Sequence, residues 1–342
     1  MKTSKRLQKQ TPYRFLSIFF LFVFSLTSYY LSSQEKIVFE SEFDKPTALL
    51  KIEKLMDSKA YLTNNGYIIS SNKDVAYFMA KEWDKATKNF ENHFQTKIPK
   101  GIVFDIQNVN VEILSSLSQI GISWNLPWPA TMIYESEKSQ GKISQISDDH
   151  SENNALGHEL GHRFLMAAFN WKLPNDGYGS PAPDWLDETA AVLNENDFIT
   201  KNRREAFRKL DEDFNSIFEI VSKAHPVPSK MSQDEINKRI REIRAEMAKS
   251  GSGTKAVKLN INNEDYSKKI DKFYGTIRVF IDFLDKYTSK DGVYESIAKG
   301  LSEGNDFESW LNDYGAIYGL PSSMEKLNKL WMKFAKKQFN HQ

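Results

Sequence analysis

His158 and His162 stand four positions apart, with Glu159 beside the first of them, in the string His158-Glu159-Leu160-Gly161-His162. On an α-helix that spacing leaves the two imidazoles about 40° apart around the axis and about 6 Å apart along it, so both can reach one ion. Glu159 is rotated about 100° from His158 and can stand over a water on that ion without joining the ligand set. Zinc lowers the pKa of such a water to about 7, and a neighbouring carboxylate can take its proton as the oxygen attacks a carbonyl carbon. The first expectation is a hydrolase using Zn2+, with Glu159 as general base.

The flanking sequence favours the helix this geometry needs. Asp148, Asp149 and Ser151 are N-cap candidates, and no proline interrupts Glu152 to Phe169. Leu156, Leu160, Phe164 and Ala167 recur at helical spacing and give it an apolar back. Gly157 and Gly161 each weaken a helix by about 1 kcal/mol relative to alanine, which points to close packing as their use. Zinc also needs a third protein ligand and an open fourth position. Glu188, in Pro183-Asp184-Trp185-Leu186-Asp187-Glu188-Thr189-Ala190-Ala191, follows His162 by 26 positions in the first turns of a second helix, one that Asp184 and Asp187 would cap. The expected metal ligands are therefore His158, His162 and Glu188. Asp176 is the competing third ligand, but it sits in a Gly-rich turn without a helical frame.

H-E-L-G-H followed by W-L-D-E-x-A-A resembles the gluzincins, the metallopeptidase group that includes thermolysin and the membrane alanyl aminopeptidases. Phe273 to Ala335, with Tyr274-Gly275, Val279 to Leu284, Tyr314-Gly315 and Trp331, is similar to the helical tail of peptidase-MA-like domains. The resemblance spans roughly Ile102 to Ala335, with an insertion. It implies zinc on His158, His162 and Glu188, Glu159 as the base, and a zincin-like fold. Two positions depart from the pattern. Thr189 replaces a frequent glycine, and Val192 stands where thermolysin-like enzymes carry an aspartate that orients a histidine, so that support must come from Asp187, Asn194 or Glu195. No Gly-x-Met-Glu-Asn segment is present to hold a free amino terminus, which favours an endopeptidase or a narrow-specificity peptidase over an aminopeptidase. Tyr274 is the candidate to stabilise the substrate oxyanion, although Phe273, Ile277, Phe280 and Leu284 put it on an apolar helix where a tyrosine could simply be buried. Of the other histidines, His93, His225 and His341 are expected to be structural or exposed, and His150 is notable only for preceding the zinc helix.

The elements around the motif read as α+β. Ile37-Val38-Phe39, Tyr67-Ile68-Ile69, Ile102 to Ile106 and Thr131 to Tyr134 are strand candidates, and Val75, Met79, Trp83, Ala86, Phe90 and Phe94 mark a long amphipathic helix. Lys142 to Ile146 alternates as a half-exposed strand; the resemblance implies that it edges the cleft, where it would either offer its backbone to an extended peptide or be covered by its own loops. Trp124 and Trp128, with Pro127 and Pro129, suit either a pocket wall or plain packing. After Glu188 the pattern is mainly helical, including an amphipathic run from Ser232 to Ala248 inside a charged insertion at about 203–262. The expected organisation is a mixed α/β subdomain with a small sheet at 35–150, a mainly helical subdomain at 151–342, and an active-site cleft between them.

Residues 1–34 carry Lys2, Lys5, Arg6, Lys9 and Arg14 ahead of an uncharged stretch from Phe15 to Gln34. This is an export signal, either cleaved or kept as a membrane anchor, that places the zinc domain outside the cytoplasm. There is no cysteine, so no disulfide reinforces the exported domain. Lys plus Arg total 46 against 45 Asp plus Glu, a balance with no electrostatic footprint for nucleic acid. The expected partner is a peptide or protein substrate. A noncatalytic envelope or secreted scaffold is the alternative, and it has no use for Glu159.

Overall fold

The computed structural model describes residues 38–107, 109, 111–141, 155–171, 181–210, 213–222, 225–226 and 264–339, with side chains from 268 onward in the last stretch. The sheet grows from a hairpin: β2 (Lys59–Thr63) and β3 (Gly66–Ser70) pair antiparallel from Thr63↔Gly66 to Lys59↔Ser70. Gly66 turns the corner at φ +139°, and a Cβ there would meet the Gly101 carbonyl oxygen. The short β1 (Phe39–Glu40) adds antiparallel to β2, while β4 (Gly101–Phe104) and β5 (Trp124–Pro127) add parallel beyond β3. The result is a five-stranded mixed sheet in the order β1-β2-β3-β4-β5.

Alternation of side chains sends Ala60, Ile69, Ile102 and Phe104 to one face. There they pack with Leu49 and Ile52 of α1 (Thr47–Met56) and Ile113 and Leu117 of α3 (Val111–Leu117). The other face carries Ile68 and Val103 and is covered by α2 (Lys73–Phe94), whose nine buried residues include Val75, Met79, Trp83, Phe90 and Phe94. Asn72 caps α2 by accepting from the backbone N–H groups of Asp74 and Val75. The chain is thus α+β and rich in helix, as expected.

Thr131 to Tyr134 is not a strand. It lies in α4 (Ala130–Ser139), whose first turn is held by Asp105, which accepts hydrogen bonds from the Thr131 backbone N–H at 2.8 Å and from its hydroxyl. Trp124 is on β5, its ring 5.1 Å from Trp83 and 5.6 Å from Phe164, and its indole N–H donates to the Pro99 carbonyl. The packing reading therefore holds for Trp124. Lys142 to Ile146, the cap candidates Asp148, Asp149 and Ser151, and the run from Ser232 to Ala248 lie outside the described residues, as does the N-terminal stretch expected to be an export signal. Among the described residues no helix is long and apolar enough to cross a membrane.

From Leu156 onward the described elements are helical: α5 (Leu156–Ala168), α6 (Asp184–Leu193), α7 (Asp197–Arg208), α8 (Ile217–Ser222), α9 (Glu264–Tyr287), α10 (Val293–Ser302), α11 (Phe307–Tyr314) and α12 (Met324–Lys337). An aromatic core of Phe207, Phe214, Phe280, Phe283, Trp331 and Phe334 joins α7, α9 and α12. The expected start of the insertion at 203 falls inside α7.

Helix α7 is also tied to α9 by charge. Arg204 grips Asp282 with two hydrogen bonds of 2.7 and 2.8 Å, and Arg278 adds a third at 2.7 Å. Burial opposes the charge on Asp282, but the two guanidinium groups outweigh it and hold the carboxyl below its ordinary range. A depressed folded pKa contributes stability that is present above the unfolded value of about 3.9 and is lost as pH falls through the folded value. Asp282→Asn should therefore cost about 2 kcal/mol at pH 7, a figure reduced for the exposure of Arg204. Urea midpoints at pH 7 and pH 3 check this: the gap between wild type and variant should narrow at the lower pH, and an equal gap at both would contradict it.

Candidate metal centre

The site is built where α5 and α6 touch. Leu156, Leu160 and Phe164 are fully buried along the back of α5, with Phe164 set edge-on to Phe90 of α2 and to Trp124 of β5. This anchors the helix to the sheet layer and leaves His158 and His162 on the opposite flank. A Cβ on Gly157 would come within 2.3 Å of the Asn194 carbonyl oxygen, and one on Gly161 within 2.4 Å of the Ala190 carbonyl oxygen. Only glycine permits backbones this close, so the packing role expected for both residues is observed.

That approach brings three sequence-predicted residues together. His158 Nε2 lies 3.5 Å and His162 Nε2 3.9 Å from Glu188 Oε2, and one donor atom from each residue lies within 4.8 Å of the others. Tetrahedral ligands at about 2.0–2.1 Å from an ion are about 3.3 Å apart, so modest closure would seat one. Both Nε2 atoms face Glu188 because the Nδ1 atoms are engaged elsewhere. His158 Nδ1 is 3.1 Å from Glu195 Oε1, and His162 Nδ1 is 2.9 Å from Asp187 Oδ1 in an off-angle contact. Of the three residues expected as supports, Asp187 and Glu195 thus lie against the imidazoles. The third, Asn194, donates its amide to the Ala190 carbonyl instead.

The electrostatics fit a cation. Glu188 Oε2 is buried and accepts no hydrogen bond among the described residues, a condition that costs about 1–3 kcal/mol if nothing occupies the gap. Burial pushes the Glu188 carboxyl up, against the pull of His162, His158 and His225. Burial would lower the pKa of His162, but Asp187, then Glu188 and Glu159, overcome it and raise the imidazole to about 9. Burial likewise opposes the charge of Glu195, and its contacts with His158 and Arg203 hold it below its ordinary value. Two imidazoles are therefore surrounded by four carboxylates, an arrangement in which a divalent ion relieves repulsion. These residues could hold a metal ion.

Glu159 is half-buried one position past His158, and its charge bears on both His162 and Tyr274. Tyr274, on α9, reaches the same site. Its ring centroid is 5.8 Å from that of His158, and its hydroxyl shares a 3.0 Å hydrogen bond with His225 Nε2. Burial and the Glu188 charge raise the phenol pKa, which keeps the hydroxyl protonated.

Sequence reasoning missed two residues here. His225, expected to be structural or exposed, has Nε2 3.5 Å from Glu188 Oε1, and its backbone N–H donates to Asp184 Oδ2 at 2.6 Å. Asp184 is thereby engaged away from its own helix. Neither it nor Asp187 caps α6, whose N-cap is Pro183 with no side-chain bond. Arg203 of α7 donates to Glu195 Oε1 at 3.0 Å and stacks its guanidinium 4.0 Å from the Tyr274 ring centroid. Neither residue carries a local signal, because each reaches the site from a different element. His93 is structural, bonded to the Asn89 carbonyl, while Asp176, His150 and His341 lie outside the described residues.

Comparison with protein-family models, with curated proteins and with solved structures finds no match to this chain.

Proposed function

We propose that this chain is an exported zinc metallopeptidase, zincin-like in fold and gluzincin-like in its ligand set, that cleaves peptide bonds within a chain. The observation that carries the reading is the convergence of His158, His162 and Glu188 with both imidazole Nδ1 atoms turned to carboxylates. Two histidines and a glutamate with an orphaned oxygen match the donor set of catalytic zinc sites that keep one position open. When bound, zinc supplies a Lewis acid that lowers the pKa of a water to about 7.

The remaining work falls to the chain itself. Glu159 takes the proton of the attacking water and returns it to the leaving amine. The Tyr274 hydroxyl donates a hydrogen bond to the carbonyl oxygen as it gains charge, and the bond to His225 sets where that hydroxyl points. Asp187 and Glu195 orient the two imidazoles.

Digestion of an unstructured peptide library by the full chain, supplied with zinc, tests the reading. Cleavage at internal bonds that a chelator abolishes is expected. Tyr274→Phe should lower kcat by about 10²–10³-fold with little change in zinc content, the usual cost of losing one oxyanion donor. Zinc-loaded protein that leaves the whole library intact would support a noncatalytic scaffold instead.

A further inference from the structure

Contacts around the site close into a ring. His158 meets Glu195 at 3.1 Å, Glu195 meets Arg203 at 3.0 Å, Arg203 lies 4.0 Å over the Tyr274 ring, Tyr274 meets His225 at 3.0 Å, and His225 meets Glu188 at 3.5 Å, which lies 3.5 Å from His158. Five of these six residues are engaged in ligation, support or hydroxyl placement by the reading above. Arg203 has no such role, yet it touches both the carboxylate that orients a ligand and the phenol ring.

We infer that Arg203 is a positioning residue that sets two groups at once: the Glu195 carboxylate, and through it the His158 ring, and the plane of Tyr274. The inference rests on the proposed metallopeptidase reading. Its chemistry is specific to arginine. The side chain of Glu195 is 1 % exposed, so its charge needs a partner, and the Arg203 guanidinium supplies one through Nη2 at 3.0 Å. The same flat, delocalised group lies over the phenol face, which a compact, strongly hydrated ammonium does poorly. The backbone enforces this placement. A Cβ on Gly275, next to Tyr274, would come within 3.0 Å of the Arg203 carbonyl oxygen and 2.9 Å of the Phe207 nitrogen, so α7 and α9 meet in close contact at this level.

The two duties separate experimentally. Arg203→Lys keeps a charge for Glu195 and loses the planar stack. It should hold zinc affinity within about threefold of wild type while kcat on a library-derived peptide falls about tenfold at unchanged KM. Arg203→Met leaves Glu195 buried without its cation and should weaken zinc affinity about tenfold in a chelator competition. In a Glu195→Gln background the same change should have little further effect, because the carboxylate it serves is gone. A purely structural arginine would lower zinc affinity and kcat in proportion to lost stability and show no such dependence on Glu195. Additive losses in that cycle, or an Arg203→Lys protein matching wild type in kcat, overturn the inference alone. A wild-type chain that holds no zinc overturns the underlying reading and this inference with it.

Discussion

Glu159→Gln should lower peptide hydrolysis by about 10²–10⁴-fold, the range over which a positioned general base acts, and leave zinc content unchanged. Glu159 follows His158 by one position, so it shares the site without belonging to the trio whose donor atoms converge, and its amide replacement keeps size and hydrogen bonding while removing the proton acceptor. The amide also removes a negative charge from a region that holds Glu188, Asp187 and Glu195, so folding should not suffer. Zinc content by elemental analysis, set beside kcat and KM on one cleaved peptide, checks both halves. Loss of metal together with activity would make Glu159 a ligand, and full activity would show that another group serves as the base.

Gly161→Ala should destabilise the protein by about 2–4 kcal/mol and weaken zinc binding at least tenfold. Two effects compete. Helix propensity favours alanine by about 1 kcal/mol. Against it, the new methyl would sit 2.4 Å from the Ala190 carbonyl oxygen and 2.6 Å from the Ala191 Cα, both backbone atoms that no side-chain rotation can move aside. The second effect is larger, and relieving it means parting α5 from α6, the helices that carry His162 and Glu188. Urea denaturation and chelator competition on the purified variant measure the two losses. A variant more stable than wild type with intact zinc binding would show that propensity wins and that the helices have room.

What could be read beforehand follows the range over which each signal acts. The convergence of His158, His162 and Glu188 was legible because four-residue spacing on one helix and a glutamate early on the next are local patterns. The long helix α2 was legible because Val75 to Phe94 repeat with helical period over many turns, and β4 because Ile102-Val103-Phe104 is a short buried run. Thr131 to Tyr134 was misread because four apolar-leaning residues carry too little period to choose between helix and strand. The choice was made by Asp105, 26 positions earlier, whose carboxylate holds the first turn of α4. Asp184 and Asp187 looked like caps because acidic residues at a helix start usually are, but a backbone N–H of His225 and the His162 ring took them first. Arg203 and His225 could not be found locally, since each meets the site through contacts 8 to 71 positions away along the chain.

Whether Glu188 acts as the third ligand is measured directly by the zinc stoichiometry and affinity of the full chain beside Glu188→Ala. One zinc per wild-type chain is predicted, bound at least a hundredfold more weakly in the variant, whose fold should survive because the removed carboxylate is buried with an unsatisfied oxygen. Equal zinc affinity in the two proteins, or no zinc in either, would contradict that role.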